Sequence, residues 1–265
     1  MSWDPTQYLK FAGERLRPAL DLLARIPAVA PETVVDLGCG VGNLAPLFLQ
    51  RWPRAKLTGV DSSPEMLAKA RADHPQASFV LADVATWRPP QPVAVLYSNA
   101  TLHWLENHDA VIPALLSAVK PGGWLAIQMP RNFAAPTHTC IVDAIEQGPW
   151  RARLEPHLRR RPVAEPQHYW RLLHHKSAAL EIWESEYLHV LKGENPVAEY
   201  IKGSWLRQFL DRLQEPERSA FETDYRARVR AAYPAEADGH TLFPFRRLFI
   251  VAQRASFIPP LSSPQ

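Results

Sequence analysis

Three acidic residues close three short apolar runs: Asp36 in "TVVDLG", Asp61 in "KLTGVD" and Asp83 in "SFVLAD". Asp36 leads into glycines at 38, 40 and 42, a G-x-G-x-G spacing rather than the G-x-G-x-x-G of a dinucleotide loop. Glycines between a strand and a helix bring backbone close to a ligand. In a dinucleotide site the helix N-terminus then receives a pyrophosphate, which a carboxylate at Asp36 would repel. A cation or an amine fits better. S-adenosylmethionine carries a sulfonium, an α-amine and a carboxylate but no phosphate, so the motif favours it. Asp61 follows Gly42 by 19 residues, a usual separation for a carboxylate that accepts from both ribose hydroxyls. Asp83 could accept from an adenine amino group, with Val84 packing beside it. In "SNATLHWL", Asn99, His103 and Trp104 would meet the methionine end and the substrate. Each acid also has a plainer reading. Asp36 could satisfy turn amides, Asp61 could be a helix N-terminal charge, and Asp83 a cap.

These residues need strands that end side by side. "TVVDLG", "KLTGVD", "SFVLAD", "VAVLYSNA" and "WLAIQMP" are strand-like, and "NLAPLFLQRW", "PEMLAKARADH" and "NHDAVIPALLSAV" have helical spacing between them. Ser62 or Ser63 is the expected N-cap of the second of these helices, with Pro64 in its first turn. The alternation from Val34 to Met129 predicts a parallel sheet covered by helices. Tyr8, Phe11, Leu16, Leu20 and Leu23 could share a face of an N-terminal helix. After Met129 the pattern changes: Arg131 to Lys176 shows no clear strand, 179–191 and 242–254 read as two late strands, and 195–233 reads as helices. The tail from Phe257 is expected to fray.

The 265 residues suit one large domain or a core with an elaboration. Hydrophobic residues at 46% allow an ordinary core, and a net charge of +3 is too small to signal nucleic acid but would suit an anionic small molecule. Two cysteines, Cys39 and Cys140, cannot build a disulfide framework. No apolar leader and no stretch of about 18 apolar residues is present, so a cytoplasmic location without membrane contact is expected. The histidines form no metal set, and no metal is expected; His174 and His175 lack the spacing of a metal-binding helix face. The 26 prolines are dispersed, which points to loops and helix starts.

"VVDLGCGVGN", "GVDSS", "FVLADV", "LYSNATLHWL" and "VKPGGWLAIQ" resemble, in order, the motifs of class I S-adenosylmethionine-dependent methyltransferases. Each motif alone is unspecific; five at the right intervals are not. The resemblance implies a Rossmann-like, seven-stranded, mostly parallel sheet whose last strand is antiparallel. It implies a cofactor-binding core over 30–130, 178–191 and 243–254, and a helical substrate cap over 1–29, 131–177 and 192–242. The cap is built from the N-terminal helix and insertions after strands five and six. Asp36, Gly38, Gly40, Asn43, Asp61, Ser62, Met66, Asp83, Val84, Asn99 and Trp104 would bind the cofactor, with S-adenosylhomocysteine as its product.

The start of the chain, "QMPRNFAAPTH" and "LFPFRRLFIVAQR" are similar to the trans-aconitate methyltransferases, which esterify a carboxylate of a small tricarboxylic acid. The chain departs from that pattern at Arg131, Trp205 and Arg246, in the substrate region. A carboxylate is already ionised at neutral pH, so methyl transfer to it requires no acid/base residue, only positioning, for which His103 is a candidate. A cationic, aromatic-walled pocket should clamp the remaining carboxylates, Arg being the natural fork. Candidates are Tyr8, Arg15, His103, Arg131, His138, Tyr200, Lys202, Trp205, Arg207 and Arg247. The expected partner is a small anionic substrate, and the expected state a monomer or weak dimer. Two alternatives remain: a methyltransferase for another acid, carrier-bound malonyl or a specialised metabolite, or a non-catalytic cofactor-binding protein on this scaffold.

Overall fold

The computed structural model describes residues 12–256, with the side chains of 12–15 left aside. Its first helix, α1 (Ala12–Ala24), precedes five strands in β/α alternation: β1 (Thr33–Leu37), α2 (Ala45–Arg51), β2 (Lys56–Asp61), α3 (Pro64–Asp73), β3 (Ser78–Leu81), β4 (Val93–Asn99), α4 (His108–Ser117) and β5 (Val119–Pro130). Three helices follow, α5 (Pro136–Gln147), α6 (Arg151–Leu154) and α7 (Pro166–Leu173), then β6 (Ser177–Lys192). The chain continues through α8 (Pro196–Lys202), α9 (Arg207–Leu210) and α10 (Glu217–Ala232) to β7 (His240–Arg254).

The seven strands form one sheet in the order β3-β2-β1-β4-β5-β7-β6. The pairs β1–β2, β1–β4, β2–β3 and β4–β5 are parallel. β7 runs antiparallel: Arg131 N donates to Arg246 O at 2.9 Å, while Gln253 Nε2 donates to Gly122 O at 3.0 Å, so one strand advances as the other retreats. The expected sheet is therefore present, including both late strands. Central strands are buried on both faces, which is why β1 and β4 read as nearly unbroken apolar runs. Five helices (α2, α3, α5, α7 and α8) carry proline in their first turn, where its missing N–H leaves no bond unmade. Ser63, not Ser62, caps α3, accepting from Met66 N at 3.2 Å.

Two compact units result. Among the described residues, one comprises 17–129, 164–184 and 248–256, and the other 12–16, 130–163 and 185–247. The first contains β1–β4, nearly all of β5, and the turn after β4. Residues 164–173 join it through Tyr169, whose hydroxyl receives Ala164 N at 3.0 Å and lies 2.8 Å from His108 Nδ1. The other imidazole nitrogen of His108 lies 2.9 Å from Leu102 O, steadying the 3₁₀ turn Leu102–Trp104. The second unit is built on α5, α8 and α10, with Tyr225 donating to Thr137 O at 3.2 Å. No helix among the described residues is long and apolar enough to cross a membrane.

Tyr97 in β4 is fully buried, and its hydroxyl donates to Ala19 O in α1 at 2.8 Å. Tyr97→Phe removes that second bond to a helix carbonyl, and equilibrium urea unfolding should show a loss of about 1 kcal/mol.

Candidate cofactor and acceptor sites

β1 ends in the glycine loop, and its backbone explains the spacing. Gly38, Gly40 and Gly42 have φ of +79°, +55° and +73°, a region L side chains rarely adopt. At Gly38 a Cβ would also stand 2.1 Å from Thr101 Oγ1. The loop amides are already used. Gly38 N and Cys39 N both donate to Val60 O, at 2.7 and 3.0 Å, and Gly42 N donates to Cys39 O at 3.0 Å. Gly40 N donates to Asp61 Oδ2 at 2.9 Å. A pyrophosphate needs free amides at this turn; four of them point elsewhere. The sequence argument against phosphate rested on charge, and the hydrogen bonds supply an independent reason.

Asp36 is 4% exposed, and its pKa rises to about 7 because burial disfavours the charge and Asp61 adds like-charge repulsion. Neither influence is a cation. Asp61 is oriented on both sides: besides receiving Gly40 N it receives Ser63 N on Oδ1 at 2.9 Å. Its backbone-fixed carboxylate retains lone pairs for hydroxyl donors. Asp83 is exposed, and Oδ1 accepts from Ala85 N at 2.9 Å, so it does hold a turn, as its plainer reading had it. Val84 and Met66 are buried, Asn43 and Ser62 exposed. Met66 Sδ lies 3.4 Å from the position of a Cβ on Gly40. His103 is buried with its ring 4.8 Å from that of Trp104. Ala100, just after Asn99, has φ +51° and donates through its N–H to Gln128 O at 3.0 Å. All these residues lie in the first unit. A buried carboxyl with no cation among the causes of its shift, beside a loop whose amides are taken, fits the sulfonium and α-ammonium of S-adenosylmethionine.

The acceptor candidates with described side chains, His103 apart, fall in the second unit. Arg247 is 5% exposed; Nη2 donates to Tyr200 Oη at 3.3 Å, the guanidinium carbon lies 4.5 Å from the centre of the Phe245 ring, and Nε has no hydrogen-bond partner. His189, which sequence reasoning passed over, stacks on Tyr200 at 5.5 Å. His138 belongs to a different group: its ring meets Phe133 at 4.8 Å and Trp205 at 5.9 Å, and Nδ1 lies 3.0 Å from Thr137 Oγ1. Burial lowers its pKa to about 3, so it offers an aromatic edge or a neutral nitrogen rather than charge. Trp205 is buried against Phe133 and His138. Lys202 pairs with Glu222, and Arg207 lies 3.6 Å from Asp211. Arg131 is half-buried, its N–H on β7. Tyr8 and the side chain of Arg15 lie outside the described residues. Asn132, also missed, ties this region together, donating to Thr137 Oγ1 at 3.2 Å and accepting from Arg246 N at 3.3 Å. No group of three or more His, Cys, Asp or Glu among the described residues could hold a metal.

This sheet order with this loop defines an S-adenosylmethionine-dependent methyltransferase. A methyltransferase-domain model matches residues 8–191. The chain is 45% identical over 253 residues to a trans-aconitate 2-methyltransferase of Azoarcus sp. (strain BH72), covering 96% of this chain and 99% of that one. It is 45% identical over 262 residues to a protein of the same name from Streptomyces avermitilis, with 96% and 97% covered. The chain belongs to the methyltransferase family that includes these two proteins. Solved structures share the fold. Phosphoethanolamine N-methyltransferase 2 of Haemonchus contortus, in complex with S-adenosyl-L-methionine, superposes with TM-score 0.57 at 15% identity, over 94% of this chain and 56% of that one. A methyltransferase structure from Bacillus halodurans gives 0.56 at 15%, over 92% and 100%.

Asp36 must be ionised to attract a cation. Between pH 5.5 and 7, binding of S-adenosylhomocysteine, whose ammonium persists, should tighten about tenfold per pH unit and level off above about 7. Calorimetric Kd values against pH test this, with Asp36→Asn flattening the profile. The stability effect has the opposite sign. A carboxyl whose pKa is raised on folding stabilises the free protein below its unfolded value of 3.8, and that contribution is lost as pH rises through about 7.

Proposed function

We propose that this protein methylates a carboxylate of trans-aconitate, or of a closely similar small polycarboxylate, forming a methyl ester. The observation that carries the acceptor class is Arg247. A buried guanidinium that meets, among the described residues, a tyrosine hydroxyl and an aromatic face is costly without an anion. A planar carboxylate restores the missing hydrogen bonds bidentately. The names of the relatives support the particular acid.

In this reading Asp36 and Asp61 hold the cofactor's amine and ribose, Asp83 and Val84 its adenine, and Trp104 borders its methionine end, while Arg247 and Tyr200 hold a non-reacting carboxylate of the acceptor. S-adenosylmethionine, when bound, supplies an electrophilic methyl group. The reacting carboxylate oxygen forms the new O–CH₃ bond as the S–CH₃ bond breaks, and the electron pair leaves on sulfur. No proton moves, which suits a chain whose buried His138 is too weak a base for that work. The residues contribute alignment and exclusion of water, worth several powers of ten in effective molarity. His103 positions rather than protonates. Among the other candidates Arg131 keeps its place as a rim cation. Lys202 and Arg207, each beside an acid, steer anions only weakly. The free, buried Cys39 and Cys140 suit a reducing compartment, and we assign the protein to the cytoplasm, acting on a small molecule as a monomer or weak dimer.

Methyl transfer from labelled cofactor should be seen with trans-aconitate and fall off across cis-aconitate, citrate and isocitrate, the product being a base-labile ester. No transfer to any of the four sinks this reading. Arg247→Ala should raise the acceptor KM by roughly a hundredfold, with the Kd for S-adenosylhomocysteine unchanged. An unchanged KM would remove Arg247 from the clamp.

A further inference from the structure

Two carboxamides lie at the ends of neighbouring strands: Asn99, expected from the sequence to meet the methionine end, and Gln128, which has no role so far. Gln128 in β5 has no exposed surface, yet neither Oε1 nor Nε2 has a hydrogen-bond partner, and Oδ1 of Asn99 in β4 is equally bare. An apolar residue would fill the middle of "WLAIQMP" without leaving two polar atoms dry. A ligand that supplies the partners removes the penalty. The register points to the ligand. Asn99 pairs with Gln128, and Asp36 with Tyr97, two residues before Asn99. In-register residues of parallel strands project from the same face, as do residues two apart. Asp36, Asn99 and Gln128 therefore share one face, at the carboxyl ends of β1, β4 and β5, where open α/β sheets bind ligands. The backbone fixes this end: Ala100, at φ +51°, donates to Gln128 O, and Thr101 Oγ1 donates to Asn99 O at 3.1 Å.

We infer that Gln128, with Asn99, recognises the zwitterionic amino-acid end of the cofactor. The α-ammonium donates to Asn99 Oδ1 and Gln128 Oε1, and the α-carboxylate accepts from Gln128 Nε2. The chemistry separates this ligand from the acceptor. A polycarboxylate at neutral pH offers only acceptors and would leave both carbonyl oxygens unmatched, whereas a zwitterion matches all three atoms. The inference rests on S-adenosylmethionine as cofactor and is independent of which acid is methylated.

Two ligands isolate the contact. S-adenosylhomocysteine carries the amino-acid end; 5′-methylthioadenosine keeps the nucleoside and thioether without it. By titration calorimetry, Gln128→Met should weaken S-adenosylhomocysteine about 10- to 100-fold and leave methylthioadenosine within about twofold. The same variant, having lost two unsatisfied polar atoms, should unfold at an equal or higher temperature when free of ligand. Gln128→Leu likewise removes both polar atoms, in a side chain that occupies a buried strand position without polar groups. It should show the same selective loss and decides the matter if the methionine variant does not fold. Equal weakening of both ligands, no change in either, or a change confined to the acceptor KM overturns the assignment. Wild-type protein that binds neither ligand overturns the cofactor reading and this one with it, which is distinct from failure of the assignment alone.

Discussion

The carboxylate of Asp36 is buried at the end of β1 with the like charge of Asp61 nearby, and ionising it there costs free energy that a cation can return. The surrounding backbone is arranged around that cost. Gly38, Gly40 and Gly42 bend back so that their amides and that of Cys39 serve Val60 O, Cys39 O and Asp61, leaving none of the four for an anion. The same residues could hardly be adjusted toward a nucleotide by changing one charge, because the hydrogen-bond pattern as well as the electrostatics selects against phosphate. Thr101, close under Gly38, couples this loop to the turn after β4 and so to Asn99 and His103.

The second unit buries a cation where the first buries a carboxylate. Burial keeps His138 from charging, whereas Arg247 places a guanidinium in the interior. Aromatic rings around that cation, Phe245 and Tyr200, lower the local dielectric and strengthen whatever carboxylate reaches it. Several surface cations are paired in exposed bridges, such as Arg151–Glu155 and Lys69–Asp73, and contribute little to selectivity. The bulky Trp205 works as core, wedged against Phe133 and His138.

Much of the first unit was legible in the chain. Strand–helix alternation is a local, periodic signal, and loop glycines and strand-end acids sit beside one another in sequence, so β1 to β5 and the Asp36–Asp61 pair could be read directly. Gln128 carried a signal too, a polar residue inside an apolar strand, but its meaning depended on whether any neighbour answered its amide. His189 and Asn132 gave none: one is a histidine in an alternating strand, the other a loop asparagine, and each gains its setting from partners far along the chain.

The sequence by itself determined the sheet, the cofactor class and the exclusion of phosphate, because each follows from residues within one β-loop-α unit and from their charge. Only the tertiary structure decided which of many cations is buried and unneutralised and which is tied to an acid. It also decided that Asp83 holds a turn and that His138 stays neutral. Burial and hydrogen-bond satisfaction depend on segments up to more than a hundred residues apart, Asn132 and Arg246 being one such pair. No local pattern in the chain encodes them.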